Sequence, residues 1–124
     1  MIERIDHIVI TVKDLYKTIE FYTNVLGMIH VTFGANRNAL SFGQQKINLH
    51  EYGSEFEPKA QEPLPGSEDL CFITKKTIEE IQKELSVKGI EIVEGPVKRT
   101  GALGPITSIY IRDPDGNLIE LSNY

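Results

Sequence analysis

Four side chains of this 124-residue chain could bind one divalent metal ion together: His7, His50, Asp69 and Glu120. They occur at matching places in two similar stretches, since His7 and Asp69 are 62 residues apart (69 − 7) and His50 and Glu120 are 70 apart (120 − 50). Imidazole nitrogens and carboxylate oxygens suit Fe(II), Mn(II), Ni(II), Co(II) or Zn(II), and two carboxylates neutralise a divalent charge. Such an ion acts as a Lewis acid, and a loosely held carboxylate, Glu120 or Asp69, could move a proton.

Each of these residues also has an ordinary structural explanation. His7 could be a hydrogen-bonded histidine at the edge of a core, and His50 could be exposed at the end of a strand. Asp69 could be a turn residue, and Glu120 could pair with an arginine. Their joint placement in two repeats is what favours a shared metal site. His30 has no counterpart, and we expect it to be exposed.

The elements that carry the first two candidates follow the order βαβββ. A segment rich in β-branched residues forms the first strand, Asp14 can cap the helix that follows, and Gly27 is placed to end it. Apolar residues recur at helical spacing between these two positions. The predicted strands of this copy cover residues 5–12, 28–33, 38–42 and 46–51.

The second copy repeats that order. Thr77 and Glu80 form a capping-box pattern at the start of its helix, and Gly89 ends it. Gly27 and Gly89 are again 62 residues apart (89 − 27), so the frame holds through both helices. The predicted strands cover residues 69–74, 90–93, 107–112 and 117–123. About eight additional residues are expected in a loop at 94–105, which is rich in glycine and proline.

A polar stretch at 53–66, interrupted by glycine and proline, can hold neither a helix nor a central strand and is predicted to be a linker. It separates a module at 1–52 from a module at 67–124. The fold class predicted for the single domain 1–124 is therefore α+β, with two βαβββ modules. Asp113 to Asn117 is a tight turn that leads into the last strand, where Glu120 lies among apolar neighbours.

Composition narrows the possible functions. The formal net charge of −5 argues against nucleic-acid binding through a basic surface. No apolar run approaches membrane-spanning length, and the first residues lack the layout of a signal peptide, so we expect a cytoplasmic protein without membrane contact. The single cysteine, Cys71, cannot form an internal disulfide and is expected to be a small buried hydrophobe.

Two arginines are candidates for substrate contacts. Arg99 falls in the additional residues of the second module, where it could close over an anionic substrate group or be a solvated loop charge. Arg112 precedes the terminal turn and shares a strand face with Tyr110. It could be a site residue or the partner of a carboxylate.

The sequence resembles the vicinal oxygen chelate superfamily, which includes glyoxalase I, extradiol dioxygenases, fosfomycin-resistance enzymes and bleomycin-binding proteins. The motifs that carry this resemblance are Asp6-His7-Ile8, Asp14 with Phe21-Tyr22 and Leu26-Gly27, Asp113-Pro114-Asp115-Gly116-Asn117, and Ile119-Glu120-Leu121. A narrower similarity to the glyoxalase-domain-containing protein 5 group rests on Glu57-Pro58-Lys59-Ala60, Pro65-Gly66-Ser67, Asp69-Leu70-Cys71-Phe72 and Arg99-Thr100-Gly101-Ala102.

The resemblance implies paired βαβββ modules that form an open, U-shaped barrel around a divalent ion, usually within a homodimer. It places the ligand positions at His7, His50, Asp69 and Glu120. Many members have histidine where this chain has Asp69, and bacterial glyoxalase I has glutamate where this chain has His50. Asp69 is shorter than histidine, so it could bind through water or not at all, which would leave two histidines and one carboxylate.

The leading functional hypothesis is a metal-dependent lyase or isomerase of the glyoxalase type. Its small substrate would chelate the ion through two neighbouring oxygens, and the ion would stabilise an enediolate-like intermediate. One alternative is a ring-cleaving dioxygenase of the extradiol type, with His7, His50 and Glu120 as a facial triad on Fe(II). The other is a metal-free protein that sequesters a small toxic molecule such as an antibiotic.

Overall fold

The computed structural model describes residues 1–124, which divide into two compact units, Met1–Ser67 and Glu68–Tyr124. Each unit contains one open four-stranded mixed sheet and one helical segment. The predicted α+β class with two βαβββ modules is confirmed. No helix of the chain has both the length and the apolar character needed to cross a membrane.

In the first unit the strands are arranged in the order β1-β4-β3-β2. β1 and β4 are parallel, and the other neighbours are antiparallel. The elements are β1 (His7–Val12), α1 (Leu15–Glu20), β2 (Ile29–Phe33), β3 (Arg37–Phe42) and β4 (Gln45–Glu51). Helix α1 continues as a π-helical segment, Phe21–Val25.

The second unit repeats this topology in the order β5-β8-β7-β6, with β5 and β8 parallel. Helix α2 packs against β7 and β8. The elements are β5 (Asp69–Ile73), α2 (Ile78–Val87), β6 (Glu94–Gly101), β7 (Gly104–Arg112) and β8 (Leu118–Asn123).

Local sequence signals begin and end both helices. The Asp14 side chain accepts a hydrogen bond from the backbone N–H of Lys17 at 3.0 Å and caps α1. Thr77 and Glu80 form the reciprocal bonds of a capping box, at 3.2 and 2.9 Å. Gly89, with φ of 70°, lies in the left-handed conformation that ends α2.

Strand alternation gives each sheet two unlike faces. In the first unit one face is apolar, and its residues Ile10, Val12, Ile47 and Leu49 are all buried. The opposite face, which we call the polar face of that unit, carries His7, Thr11, Arg37, Lys46, Asn48 and His50. The polar face of the second unit carries Asp69, Cys71, Ser108, Tyr110, Arg112, Glu120 and Ser122.

The β6–β7 hairpin differs from the prediction. Residues 90–93 form no strand, and the expected loop at 94–105 is largely strand β6. Its glycines and prolines belong to a bulge and a turn instead: the register shifts between Glu94 and Val97, and only Ala102 and Leu103 separate the two strands. At Gly95, where φ is 105°, a Cβ would lie 2.5 Å from the Ser108 carbonyl oxygen. No other residue type fits there.

The turn before β8 is held by a buried carboxylate. Asp113 accepts hydrogen bonds from the backbone N–H groups of Asp115 and Asn117, both at 2.9 Å, and from Asn117 Nδ2 at 2.8 Å. The amide oxygen of Asn117 accepts from the backbone N–H of Glu68 at 2.8 Å, just before β5. The turn therefore fixes the start of β8 beside the start of β5.

We expect Asp113→Ala to lower the free energy of unfolding by about 2–4 kcal/mol, because it removes three bonds to a buried carboxylate and leaves donors of Asn117 unpaired. Urea denaturation followed by circular dichroism measures the change. Glu91→Ala, at an exposed position, is the control and should change stability by no more than about 0.5 kcal/mol. Equal stabilities for the two variants would contradict the proposed role of the turn.

Candidate active site

Glu120 lies at the centre of a hydrogen-bond network in the second unit. Ser108 Oγ, Ser122 Oγ and Cys71 Sγ lie 2.9, 3.1 and 3.3 Å from its Oε2 atom. The Tyr110 hydroxyl is close enough to the same carboxylate to lower its pKa. Every one of these residues is on the polar face, at alternate positions of β5, β7 or β8.

The network keeps Glu120 ionised. Partial burial raises the pKa of this carboxyl group, but the bonds from Tyr110, Ser108, Cys71 and Ser122 outweigh burial, and the net pKa is lowered. A carboxylate with a lowered pKa and several donors is a weak base. It is suited to holding a positive charge and poorly suited to moving a proton at neutral pH.

Asp69 is the second carboxylate of this face and has different surroundings. It lies beside Leu118 in the β5–β8 register, two residues from the Cys71–Glu120 pair, so its Cα is about 8 Å from that of Glu120 by strand spacing and rise. Its side chain is exposed and makes no hydrogen bond or ion pair to protein. Of the two carboxylates, Asp69 is the better candidate for proton transfer.

Asp69 and Glu120 line a cavity of about 410 Å³ within the second unit. The cavity contains three carboxylates and two guanidinium groups, so its charges are mixed. Its remaining wall residues are Val93, Glu94, Arg99, Tyr110, Arg112 and Leu118. Both arginines proposed from the sequence therefore lie at the same cavity as the two carboxylates, and Arg99 lies on strand β6 rather than in a loop.

The two arginines are held in different ways. Arg99 Nε donates to the Tyr110 hydroxyl at 3.0 Å, and Arg99 Nη2 lies 3.3 Å from a Glu94 carboxylate oxygen. Arg112 Nη1 donates to the backbone carbonyl of Gly116 at 3.2 Å, and no carboxylate lies within ion-pair distance of it. Arg112 is consequently the cation of this cavity that remains available to an anionic ligand.

The Tyr110 hydroxyl stays protonated. Burial raises its pKa, and its bond to Glu120 raises it further, against the opposing effect of Arg99. The Tyr110 oxygen accepts the hydrogen bond from Arg99 Nε, and its hydroxyl is near enough to Glu120 for each group to shift the pKa of the other. The tyrosine connects the carboxylate to the arginine.

His7 is arranged as metal-ligating histidines commonly are. Its Nδ1 lies 2.8 Å from Asp6 Oδ1, and this bond is the main reason why the pKa of the Asp6 carboxyl is lowered. A carboxylate on one ring nitrogen fixes the tautomer and directs the other nitrogen outward. The His7 side chain is 42 % exposed, so Nε2 can reach a ligand.

His50 has a different setting. It is only 3 % exposed, and because arginine can only donate, its Nε2 accepts the 3.4 Å bond from Arg37 Nη2. Burial and the Arg37 charge lower the pKa of His50, so the ring is neutral at neutral pH. Its pairing with Thr11 puts it four residues from His7 along β1, about 13 Å by strand rise.

The strand register also corrects the matching of His50 with Glu120. His7 pairs with Lys46, and its counterpart Asp69 pairs with Leu118, so the residue equivalent to Glu120 is two beyond Lys46, namely Asn48. The second unit has ten more residues between the paired strands (118 − 69 against 46 − 7), whereas counting from the sequence gave eight. Residue counts across hairpins do not reveal where an insertion lies.

Asn48 was not identified from the sequence. It is 5 % exposed, and its Oδ1 atom is buried without a hydrogen-bond partner. It lies one residue pair beyond His7 on the polar face, just as Glu120 lies one pair beyond Asp69. A signal was present in the sequence, because Asn48 is a polar residue between Ile47 and Leu49.

The other candidates are placed as follows. His30 is exposed, as predicted, and contacts Asn38 Oδ1 at 2.7 Å. Cys71 is exposed rather than buried, with its thiol directed at Glu120. Neither unit alone gathers three His, Cys, Asp or Glu side chains into a metal-binding group. What the structure brings together is Asp69 with Glu120, and His7 with Asn48.

We expect Ser108→Ala to raise the pKa of Glu120, because it removes a donor at 2.9 Å from the ionised form. Cys71→Ala, which removes a longer and weaker bond, should raise it less. Thr107→Ala, on the opposite face of β7, is the control and should leave it unchanged. Carbon-13 NMR titration of the glutamate carboxyl groups measures all three.

The same lowered pKa has a consequence for stability. A carboxyl group whose pKa is lower in the folded state stabilises the fold above its unfolded-state pKa, and this contribution is lost as the pH falls through the folded-state pKa. The stability difference between wild type and Ser108→Ala should therefore shrink on acidification. A Glu120 pKa that does not move in Ser108→Ala would contradict the role assigned to the network.

Comparison with known proteins agrees with this architecture. Residues 4–121 match the family model described as Glyoxalase/Bleomycin resistance protein/Dioxygenase superfamily. The chain is 63 % identical over 124 residues to Virulence protein STM3117 of Salmonella typhimurium, covering 100 % of this chain and 86 % of that protein. It is also 63 % identical over 123 residues to Glyoxalase domain-containing protein RDO1 of Mycosarcoma maydis, covering 99 % of this chain and 69 % of that protein.

Solved structures show the same fold. The crystal structure of STM3117 superposes with a TM-score of 0.98 at 63 % identity and covers 100 % of this chain and 98 % of that one. The crystal structure of lactoylglutathione lyase from Agrobacterium tumefaciens, at 21 % identity, covers 99 % of this chain and 95 % of that one with a TM-score of 0.75, which is a likeness of fold. The resemblance to the superfamily is confirmed, and the chain belongs to the Glyoxalase/Bleomycin resistance protein/Dioxygenase superfamily, the vicinal oxygen chelate superfamily.

Proposed function

We propose that this protein is a metal-dependent enzyme of the glyoxalase type, a lyase or isomerase that acts on a small substrate chelated through two neighbouring oxygens. The observation that carries the proposal is the pair of carboxylates, Asp69 and Glu120, on the wall of one cavity. Glu120 is ionised and accepts hydrogen bonds from several donors, whereas the Asp69 side chain makes no hydrogen bond or ion pair to the protein. Such a pair can divide charge stabilisation and proton transfer between them.

The chemistry of the side chains suits the proposed divalent ion. Glu120 is an ionised oxygen ligand, and His7 has the carboxylate-backed ring of a nitrogen ligand. Asn48 contributes a buried oxygen that lacks a partner, and Asp69 completes the set. We propose Asn48 as a metal ligand instead of His50, which the sequence predicted, since His50 Nε2 accepts a hydrogen bond from Arg37. Nitrogen and oxygen ligands of this kind suit Ni, Co, Zn, Mn or Fe.

The ion, when bound, would polarise the substrate oxygens and stabilise negative charge on them. The Asp69 carboxylate would take a proton from the substrate carbon and return it. Glu120 would remain ionised throughout, held by Tyr110 and Ser108. Arg112 would bind an anionic substituent of the substrate at the cavity wall.

The proposal is consistent with a relative that carries a glyoxalase domain in its name. The extradiol alternative is less well supported, because a facial triad needs His7 and His50 on one iron, and these residues are four positions apart along paired strands. A metal-free sequestering protein would have no use for the ligands described above. We further propose a homodimer in the cytoplasm, which sedimentation and cell fractionation can test.

Metal binding is the first test. Titration of chelator-treated protein with Mn(II), Ni(II) or Zn(II) should show about one ion per chain, and His7→Ala and Glu120→Gln should each weaken binding at least about tenfold. His30→Ala, which removes a histidine from the opposite face of the first sheet, is the control and should bind normally. Unchanged metal binding in both His7→Ala and Glu120→Gln would contradict the proposed ligand set.

Two further variants test whether Asn48 or His50 is the fourth metal ligand. Asn48→Ala should weaken binding of the same ions, whereas His50→Phe should not, because His50 Nε2 is directed at Arg37. The reverse result would restore His50 to the ligand set. Absence of stoichiometric metal in native protein, together with no uptake on titration, would favour the sequestering function.

Activity is the second test. Metal-loaded protein should convert adducts of methylglyoxal with small thiols, or related 2-oxo aldehydes. Asp69→Asn should lower kcat by about 10²-fold or more if Asp69 moves the proton. Lys83→Gln, at an exposed position of α2, is the control. If the loaded protein leaves all of these compounds unchanged while catechols and oxygen give a coloured product, the dioxygenase alternative replaces the lyase.

A further inference from the structure

The polar face of the first unit contains a guanidinium group without a counter-ion. Arg37 is half-buried and contacts two aromatic rings, with its Cζ atom 5.0 Å from the centre of the Phe33 ring and 4.9 Å from that of Phe56. No carboxylate lies within ion-pair distance of it. Its one protein acceptor is His50 Nε2 at 3.4 Å.

The two carboxylates that act electrostatically on His50 are already engaged by other groups. Glu55 accepts the backbone N–H of Gly53 with both of its oxygens, at 2.8 and 3.1 Å. Glu57 forms an ion pair with Lys59. Neither side chain neutralises Arg37, although both lie close enough to His50 to influence its ionisation.

A second cation shares the Phe33 ring. Lys46 Nζ lies 3.9 Å from the centre of that ring, so Phe33 contacts both positive groups. Lys46 is also near Asp6, whose ionised form it stabilises. Arg37 is therefore the charge of this face that remains uncompensated.

An uncompensated guanidinium in contact with two aromatic rings is well suited to bind an oxyanion. Both rings lie within cation–π distance of the guanidinium, and their apolar surface reduces its contact with water, which strengthens charge–charge interactions there. Five N–H donors in a planar fork match the two oxygens of a carboxylate or phosphate, and only one donor is used by His50. The exposed part of Phe56, which is 38 % accessible, offers an apolar surface to the organic part of such a molecule.

We propose that Arg37 anchors a binding site for the carboxylate or phosphate group of a small organic anion on the polar face of the first unit. Lys46 adds positive charge, and Phe33 and Phe56 form the walls. His50 holds the guanidinium in place by accepting one of its hydrogens, which makes it a positioning residue. The contacts that carry this site lie within residues 1–67, so it stands independently of the proposed metal chemistry.

Calorimetric titration of the full chain with malonate and with inorganic phosphate, in the presence of a chelator, tests the proposal. At least one of these anions should bind, and Arg37→Gln should weaken its binding about tenfold or more, since a charge-assisted bond pair is lost. Arg37→Lys retains the positive charge but not the planar set of donors, so its affinity for the anion should lie between those of wild type and Arg37→Gln. Lys83→Gln, which removes an exposed charge from α2, is the control and should bind like wild type.

A second measurement uses wild-type protein only, so it does not require a variant to fold correctly. In ¹⁵N-labelled wild-type protein the Arg37 Nε–H resonance should shift as the anion is added and follow the calorimetric isotherm. Failure of both anions to bind, unchanged affinity in Arg37→Gln, or an Arg37 resonance that does not move would each overturn the proposal. Because no metal is present, these outcomes differ from failure of the metal-dependent function.

Discussion

The arrangement of the second unit depends on the buried carboxylate of Asp113. Its three hydrogen bonds close the turn at 113–117 and hold Asn117 in place, and the Asn117 side chain then accepts the backbone N–H of Glu68. Two parallel strands that are distant in sequence are thereby aligned at their first residues. Because side chains alternate between faces, a slip of one residue would move Glu120 from the polar face to the apolar one. The turn at 113–117 therefore determines on which face the proposed ligand Glu120 lies.

The same turn explains how a carboxylate can be ionised in a partly buried strand. Once the register is fixed, Cys71 lies beside Glu120 on one side and Tyr110 pairs with it on the other, while the Ser108 and Ser122 hydroxyls both donate to Glu120 Oε2. Each donor contributes modestly, but together they exceed the cost of partial burial and lower the pKa. Arg37 is the opposite case, a half-buried cation with one weak acceptor. Glu120, whose charge is satisfied by donors of the protein, is thus suited to hold a cation in place. Arg37, whose charge is not satisfied, is suited to bind an anion from solution.

Much of the fold could be predicted from the sequence, because it rests on local signals. Asp14, the Thr77–Glu80 box and the Asp113–Asn117 turn each act within a few residues, and all three have the predicted structure. Strand pairing depends on contacts between distant residues, and no local pattern states it. Gly95, for example, suggested a loop but forms part of a bulge pressed against β7. For the same reason the sequence selected His50, a conspicuous residue, over Asn48, the residue in register.

The presence of asparagine at position 48 has a consequence for charge. With Asp69 and Glu120 as the two anions, the proposed ligand set carries two negative charges, which balance a divalent ion. A carboxylate at position 48 would add a third, and it would lie buried on a face where the neighbouring ring of His50 is kept neutral by burial and by Arg37. The amide supplies an oxygen without that charge. Arg37 and Arg112, which lack carboxylate partners, then remain as the cations that an anionic ligand would meet, and each belongs to a different unit.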